Sequence, residues 1–172
     1  TSSIGAYPEA EVLRESDYHI ESYPMDFAGW GKRMAELQIY AYKVEYNLEN
    51  FSIVIPSHVY GPGDNFDPSA SHVIPALIKK VADARTAHRD YIDVWGTGNA
   101  TREFLYVEDA AEGILLATER YNKSEPVNLG SAFEISIQDL VEAIVRMTGF
   151  EGRIIWDTTQ LNGQPRRKLD TS

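Results

Sequence analysis

The residue types that this sequence lacks already exclude several classes of function. Its 172 residues contain no cysteine, which excludes disulfides, a thiolate nucleophile and a zinc site built on cysteine. The 16 Lys and Arg residues are outnumbered by 26 Asp and Glu, and the net charge of -10 argues against a general nucleic-acid-binding protein. No segment is apolar enough to span a bilayer and the first residues do not form a signal peptide, so we expect a cytoplasmic protein. The four histidines are scattered without ligand spacing, so we expect no metal site.

The sequence begins without methionine, in a segment that reads as the end of a strand entering a loop, Thr1 to Pro8. We therefore expect the later part of a longer protein. The composition, 43% hydrophobic and 24% charged, suits one globular unit or two small lobes.

The segment from Phe27 to about Tyr46 is predicted to be an amphipathic helix. Its apolar residues recur at helical three-and-four spacing, which predicts a buried face formed by Phe27, Trp30, Met34, Leu37, Ala41 and Val44. Lys32 is predicted to lie on the polar face together with Ala28, Arg33 and Glu36.

Strands and helices are predicted to alternate after this helix, which is typical of a parallel α/β sheet. The predicted strands are Phe51–Ile55, Tyr91–Val94, Glu103–Val107, Pro126–Gly130 and Arg153–Trp156. The predicted helices are Ser71–Ala84, one from Glu108 to about Arg120, and one capped by Ser136 that ends at Thr148 before Gly149. Residues 9–24 and 57–68 are interpreted as loops, the second at the carboxyl end of a strand, where open α/β sheets bind ligands.

Seven short motifs occur together in one order along the chain. They are Ser2-Ser3 before Tyr7-Pro8, Gly29-Trp30-Gly31-Lys32-Arg33, Val59-Tyr60-Gly61-Pro62, Ser71-His72-Val73-Ile74-Pro75-Ala76-Leu77, Trp95-Gly96-Thr97-Gly98, Arg102-Glu103-Phe104-Leu105-Tyr106-Val107-Glu108-Asp109 and Asn128-Leu129-Gly130-Ser131. In this combination the sequence resembles the extended short-chain dehydrogenase/reductase family, the NAD(P)-dependent nucleotide-sugar epimerases and dehydratases, and within it the GDP-L-fucose synthase subgroup.

The resemblance implies the later part of a Rossmann (doubly wound) fold with a small α/β substrate-binding lobe. Residues 1–57 and 108–130 would form the Rossmann portion, without its glycine-rich first half, and residues 58–107 and 131–172 the substrate lobe. It also implies NAD or NADP as cofactor, an NDP-sugar as substrate and a homodimer. The activity expected is that of an epimerase or reductase.

The resemblance assigns catalysis to a serine, a tyrosine and a lysine. Ser3 matches the serine that hydrogen-bonds the reacting oxygen, although a loop hydroxyl often bonds only backbone. Lys32 matches the lysine that holds the nicotinamide ribose and lowers the tyrosine pKa. Pro56 and Ser57, at the end of a strand, would approach the nicotinamide.

The family tyrosine is missing from its position one helical turn before Lys32, which is occupied by Ala28. Three explanations are open. Another acid/base replaces it (Tyr23 reaches the site only if its loop folds back), it has been mutated, or the protein binds nucleotide sugar without turnover.

A second departure concerns the cysteine base of fucose synthases, whose position is Gly5 here. The histidine acid of that subgroup does have a match, His72. His72 could equally be a surface or capping residue.

For the substrate, the resemblance places Lys80, Trp95 and Arg102 around the nucleotide diphosphate, with Val73 beside them. These side chains suit a nucleotide diphosphate. The planar Arg guanidinium and the Lys ammonium can bind phosphate oxygens, and the Trp ring offers a face for stacking. His58 replaces an asparagine that touches the sugar. Arg166, in the run Arg166-Arg167-Lys168, would close over the nucleotide or belong to a solvated tail.

Two alternatives to an enzyme are a catalytically silent nucleotide-sugar binding protein and a structural scaffold. Ala28 and Gly5 motivate the first of these. The second would bind no nucleotide.

Overall fold

The computed structural model describes residues 1–19, 21–67, 69–160 and 162–172. Two residues of predicted loops, Ile20 and Pro68, lie outside these ranges, as does Leu161. The chain divides into two compact units. Unit 1 comprises residues 1–59, 103–133 and 167–172, and unit 2 comprises residues 60–102 and 134–166.

The helices and strands alternate as the sequence predicts for an α/β fold. The strands are β1 (Val12–Leu13), β2 (Ile53–Pro56), β3 (His58–Tyr60), β4 (Tyr91–Trp95), β5 (Thr101–Tyr106), β6 (Pro126–Leu129), β7 (Glu134–Ser136), β8 (Arg153–Asp157) and β9 (Arg166–Leu169). The helices are α1 (Phe27–Tyr46), α2 (Val73–Thr86), α3 (Val107–Arg120) and α4 (Ile137–Thr148). Two 3₁₀ turns, Ile4–Ala6 and Glu15–Asp17, precede α1.

Unit 1 is organised around parallel strand pairs. β2 pairs with β6 in parallel, and the backbone N–H of Ser2 donates to Val54 O at 2.8 Å, which places the start of the chain beside β2. β1 pairs with β9 in parallel, and the strand order continues through β5 to β3. α1 packs on the 3₁₀ turn Ile4–Ala6 and α3 packs on β2. Buried residues at the centre of this unit are Ile4, Tyr7, Leu13, Ile55 and Leu169.

Unit 2 is built on a second parallel pair, β4 with β8. Helix α2 packs against β4 and α4. Helix α4 has the bounds that its local signals predict, because the Ser136 side chain accepts from Asp139 N and Gly149 closes the helix in the left-handed conformation. β7 pairs with β5.

The predicted buried face of α1 is wrong. Phe27, Met34 and Val44 are 94%, 61% and 69% exposed, and the residues buried on this helix are Gly29, Arg33 and Glu36. The reason is a polar network in unit 1, since Glu36 accepts from the hydroxyls of Ser2 and Tyr18 and Arg33 donates to Ala6 O at 2.8 Å. Once Arg33 and Glu36 have partners, burying them no longer leaves an unpaired charge.

Several short strands lie where the sequence analysis predicts loops or a tail. β1 lies inside the predicted 9–24 loop, and its Leu13 is 1% exposed. β3 follows β2 directly, inside the predicted 57–68 loop. Of the two alternatives for residues 166–168, the structure does not show a solvated tail, because 166–169 forms β9, where Lys168 N donates to Glu11 O at 3.2 Å.

The unit boundaries differ from the predicted domain boundaries at four places. The residues that belong to unit 1 instead of the predicted substrate lobe are 58–59, 103–107, 131–133 and 167–172. Glu103 accounts for much of this, because its buried carboxylate accepts from Ala132 N at 2.8 Å and from Leu169 N at 2.9 Å. In the described parts of the chain, no helix has the length and apolarity to cross a membrane.

Candidate active site

Ser3 and Ser2 are adjacent but have different surroundings. Ser2 is buried, and its hydroxyl donates to the Glu36 carboxylate. Ser3 caps the 3₁₀ turn Ile4–Ala6, where its Oγ accepts from Gly5 N at 3.2 Å. An accepting hydroxyl still has its own hydrogen to donate. Ser3 therefore makes the backbone bond expected of a loop hydroxyl and keeps a donor for a substrate oxygen.

Lys32 lies on the exposed side of α1. Its Nζ donates to Thr1 O at 3.2 Å, which holds the ammonium beside the residues that lead into Ser3. Ala28 is exposed one turn earlier on the same helix. The structure thus brings Ser3 and Lys32 into one unit, with a methyl group at the position of the family tyrosine.

A very close backbone approach sets the position of α1 relative to Ser3. A β-carbon added to Gly29 would lie 2.0 Å from Gly5 O, so no larger residue fits at position 29 without a shift of the helix. Asp26 caps the helix, and its Oδ1 accepts from Gly29 N at 2.7 Å. These contacts fix the first turn of α1 directly on the turn that follows Ser3.

Ser57 and His58 follow β2 and are both held by the backbone carbonyl of Glu103. The Ser57 hydroxyl donates to this oxygen at 3.0 Å, and His58 Nδ1 lies 3.2 Å from it. Because a carbonyl oxygen only accepts, Nδ1 of His58 carries a hydrogen. Ser57 N donates to Leu129 O at 2.9 Å. Pro56 has no N–H, so neither it nor Ser57 offers a backbone donor to a ligand here.

Glu103 is a buried residue that contacts two candidate site residues, Ser57 and His58, and its sequence pattern did not single it out. It is 0% exposed, its carbonyl holds Ser57 and His58, and its carboxylate holds two backbone N–H groups. The only sequence signal was its place beside Arg102 in a strand motif. An isolated charged residue in a strand does not reveal which distant backbone groups it will meet.

Unit 2 contains a cavity of about 520 Å³ that brings together three predicted substrate residues. It is lined by Ser71, Val73, Ala76, Leu77, Lys79, Lys80, Asp83, Arg89, Asp93, Val94, Trp95 and Ile137. Val73, Lys80 and Trp95 are those three. Three cations line it, and the Trp95 indole is 67% exposed.

The lysines of this cavity are paired with carboxylates. Lys80 Nζ donates to Asp93 O at 2.7 Å and lies 3.2 Å from Asp93 Oδ2. Lys79 pairs with Asp83 at 2.9 Å. Asp93 was not predicted, because it contacts Lys80 only through the packing of α2 on β4.

Three other predicted site residues, His72, Arg102 and Arg166, are not among the described residues that line this cavity. His72 is the exposed N-cap of α2, and its side chain makes no capping bond. Arg102 Nη1 donates to Thr101 O at 2.7 Å. Arg166 forms a two-bond fork with Glu134, Nε to Oε1 at 2.8 Å and Nη2 to Oε2 at 2.7 Å. A guanidinium held in this way is not a solvated tail residue.

Comparison with known proteins identifies the family. The profile of the NAD dependent epimerase/dehydratase family matches residues 1–130. The chain belongs to this family. Its members are enzymes, and the resemblance inferred from the seven motifs is confirmed.

Curated relatives of the family match most of this chain. GDP-L-fucose synthase 1 of Arabidopsis thaliana is 40% identical over 132 residues, which are 77% of this chain and 41% of that protein. GDP-L-fucose synthase of Escherichia coli is 33% identical over 141 residues, 77% of this chain and 44% of that protein. The chain thus spans less than half the length of these relatives.

Solved structures of the family agree with the fold. A GDP-L-fucose synthetase from Naegleria fowleri superposes with a TM-score of 0.89 at 29% identity, covering 99% of this chain and 55% of that one. The same synthetase bound to NADP also gives 0.89, covering 99% and 56%. The predicted α/β fold of Rossmann type is confirmed.

Proposed function

We propose that this chain carries the nucleotide-sugar-binding unit and part of the catalytic centre of an NAD(P)-dependent nucleotide-sugar epimerase/reductase. Unit 2 would be the substrate lobe and unit 1 the Rossmann portion. The observation that carries the proposal is the unit 2 cavity, where Lys80 and Trp95 come together. The naming of relatives as GDP-L-fucose synthases favours a GDP-sugar as the substrate.

The cavity has the chemistry that a nucleoside diphosphate requires. Its volume of about 520 Å³ lies within the range of about 300–1,000 Å³ typical of ligand pockets. The exposed indole of Trp95 offers a face for stacking, and Lys79, Lys80 and Arg89 supply positive charge. Asp93 holds the Lys80 ammonium at the end of its side chain, which limits the side-chain ordering that binding would require.

The residues of unit 1 fit part of a nicotinamide dinucleotide site. Lys32 presents an exposed ammonium that can bond ribose hydroxyls, and Pro56 and Ser57 end β2. The sequence contains no Gly-x-x-Gly-x-x-Gly run, so no pyrophosphate contact is assigned to it. We propose NADP or NAD as the cofactor, supported by the NADP-bound synthetase of similar fold. When bound, this group supplies or accepts a hydride.

The chain's own groups would act on the sugar oxygen. Ser3 donates its remaining hydrogen to that oxygen, and Lys32 orients the ribose. Ala28 can neither donate nor accept a proton, so the centre needs a different acid/base. His72 stays a candidate for a proton donor, and His58 and Arg166 stay candidates for sugar or nucleotide contacts.

A catalytically silent nucleotide-sugar binding protein is the second candidate function. The specific observation in its favour is Ala28, which is exposed where the family carries tyrosine. Such a protein would bind GDP-sugars through unit 2 and would not interconvert them. A turnover assay with a panel of GDP- and UDP-sugars, supplied with NADPH or NAD, separates the two functions.

Calorimetric titration tests the binding proposal. We expect GDP and GDP-mannose to bind. Lys80→Ala should weaken binding at least about tenfold, since a hydrogen bond to a charged group contributes about 1.5–3 kcal/mol. Trp95→Ala should weaken it at least about fivefold, since stacking of a base on an aromatic ring contributes about 1–3 kcal/mol. Lys123→Ala, an exposed lysine of unit 1, is the matched control and should bind as the wild type does. Failure of the wild type to bind either compound would overturn the proposal and leave the scaffold interpretation.

We also propose that the protein forms a homodimer through α1. Six exposed apolar residues of this helix follow strict three-and-four spacing, the pattern of a helix that packs along a second helix: Phe27, Trp30, Met34, Leu37, Ala41 and Val44. A second copy supplies the same apolar face, as twofold symmetry requires. Sedimentation velocity should show a dimer for the wild type and the exposed-site control Gln38→Glu. Met34→Glu should give a monomer, and a wild-type monomer would contradict this proposal.

A further inference from the structure

The carboxylate of Asp26 fills the space beside Gly5. A β-carbon added to Gly5 would lie 2.6 Å from each carboxylate oxygen of Asp26. The side chain that position 5 lacks is therefore replaced in space by a carboxylate from the start of α1. Asp26 as a residue is nevertheless exposed.

Three further contacts hold Asp26 and the residue before it beside the turn that Ser3 caps. Asp26 Oδ1 accepts from Gly29 N at 2.7 Å. The neighbouring Met25 N donates to Gly5 O at 3.0 Å and to Tyr7 O at 2.9 Å. The backbone before Asp26 and the helix after it are thus both tied to the turn, and the carboxylate is positioned in advance of any ligand.

Asp26 and Ser3 both contact residue 5, Asp26 at the place of its absent side chain and Ser3 at its backbone N–H. Ser3 Oγ accepts from Gly5 N at 3.2 Å and keeps its hydrogen for a ligand oxygen. Asp26 offers carboxylate oxygens that accept. Arg167 adds positive charge nearby, because Asp26 and Glu9 both act on its guanidinium and oppose the lowering of its pKa by burial. A donor for an oxygen beside a base is the pair that proton abstraction next to a ketone requires.

We propose that Asp26 is the catalytic base of this centre and removes a proton from the carbon next to the carbonyl of a keto-sugar. This inference rests on the proposed function. The C–H bond breaks, its electron pair forms the carbon–carbon double bond of an enolate, and the carbonyl π electrons move to the oxygen, which Ser3 stabilises by its hydrogen bond. The proton is then on Asp26. Return of a proton to the same carbon restores the ketone, with retained or inverted configuration.

The ordinary role of Asp26 is to cap α1, and the two roles can be separated. Asparagine is as good an N-cap as aspartate, because its side-chain oxygen accepts the same backbone N–H. Asp26→Asn therefore keeps the helix start and removes the base. Asp26→Ser is a second variant that keeps a cap and has no carboxylate. Asp109→Asn, an exposed acidic residue in the first turn of α3, is the matched control.

The test is exchange of solvent deuterium into a GDP-linked 4-keto-hexose, followed by mass spectrometry in D₂O without any nicotinamide. Calorimetry on the same samples measures binding of the same compound, and thermal unfolding confirms that each variant is folded. We expect exchange in the wild type and in Asp109→Asn. In Asp26→Asn and Asp26→Ser we expect exchange to fall at least about 100-fold, as for removal of a placed base, with the dissociation constant within about twofold of wild type.

The possible outcomes distinguish this inference from the proposed function. Wild-type binding without exchange, or full exchange in folded Asp26→Asn, would overturn the role of Asp26 and leave the binding function intact. Absence of binding by the wild type would overturn the proposed function and this inference with it.

Discussion

The Tyr18 hydroxyl lies 2.6 Å from both carboxylate oxygens of Glu36, to which it donates. Glu36 also pairs with Arg33 at 3.3 Å, and the Arg33 guanidinium lies 4.2 Å from the centre of the Tyr18 ring. Arg33 and Glu36 are 2% and 6% exposed. This network is the reason why α1 buries its charged face and exposes its apolar one.

Removing the carboxylate from this network should destabilise the protein strongly. Glu36→Leu leaves the Arg33 charge buried without its partner, and we expect a loss of about 3–5 kcal/mol in the free energy of unfolding. The double variant Arg33→Met with Glu36→Leu removes both charges and should cost less than Glu36→Leu alone. Urea denaturation measures the free energy of unfolding of both variants. A double variant that is less stable than Glu36→Leu would contradict the coupling of the two charges.

Stability should fall at alkaline pH because of two buried tyrosines. Burial raises the pKa of Tyr7 and Tyr18 well above the ordinary value of about 10, and for Tyr18 the bond to Glu36 raises it further. Above about pH 10 these groups ionise in the unfolded chain before they ionise in the folded one, so the stability that is fully present below pH 10 is lost as pH rises towards the folded pKa.

Urea midpoints measured between pH 8 and 11 check this expectation. Tyr7→Phe should lose about 1 kcal/mol at pH 8, since the hydroxyl donates to Asn128 Oδ1 at 2.8 Å, and should show a flatter decline above pH 10. Tyr23→Phe, at a tyrosine that is 77% exposed, should leave the slope unchanged. An equal slope in the wild type and Tyr7→Phe would contradict the assignment to Tyr7.

Ala28→Tyr should raise turnover of a keto-sugar. Residue 28 is exposed one turn before Lys32, so a phenol fits there and the lysine charge favours its phenolate. A placed acid/base contributes about 10²–10⁴-fold. Steady-state rates with NADPH and a GDP-keto-sugar measure the change. The control is Ala35→Tyr, which places a tyrosine at another exposed alanine of α1. A neutral or harmful Ala28→Tyr in an already fast enzyme would show that another residue supplies the proton.

Arg102→Ala should weaken binding of a GDP-sugar by about 1.5–3 kcal/mol, the range for a hydrogen bond to a charged group. Arg102 Nη1 donates to Thr101 O at 2.7 Å, and a planar guanidinium has the donor geometry that suits phosphate oxygens. Calorimetry beside the control Lys123→Ala measures the loss. An unchanged dissociation constant would exclude a phosphate contact by Arg102.

Elements with local signals could be predicted from the sequence. α4 begins after Ser136 and ends before Gly149 because both caps act within one turn of the helix. α1 likewise has the predicted bounds. The ordered motifs identified the family, and they selected Val73, Lys80 and Trp95, which line one cavity.

Tertiary structure decided the features that depend on distant partners. β1 pairs with β9 through Val12 and Lys168, and β9 also pairs with β5; no local pattern of so short a strand reveals these partners. The buried face of α1 was decided by Ser2, Ala6 and Tyr18, since a charged face can be buried only where fixed groups satisfy it. In the same way, the sequence by itself determined that Ala28 cannot move a proton, and only the packing of α1 on Gly5 brought the Asp26 carboxylate beside Gly5, in the turn that Ser3 caps.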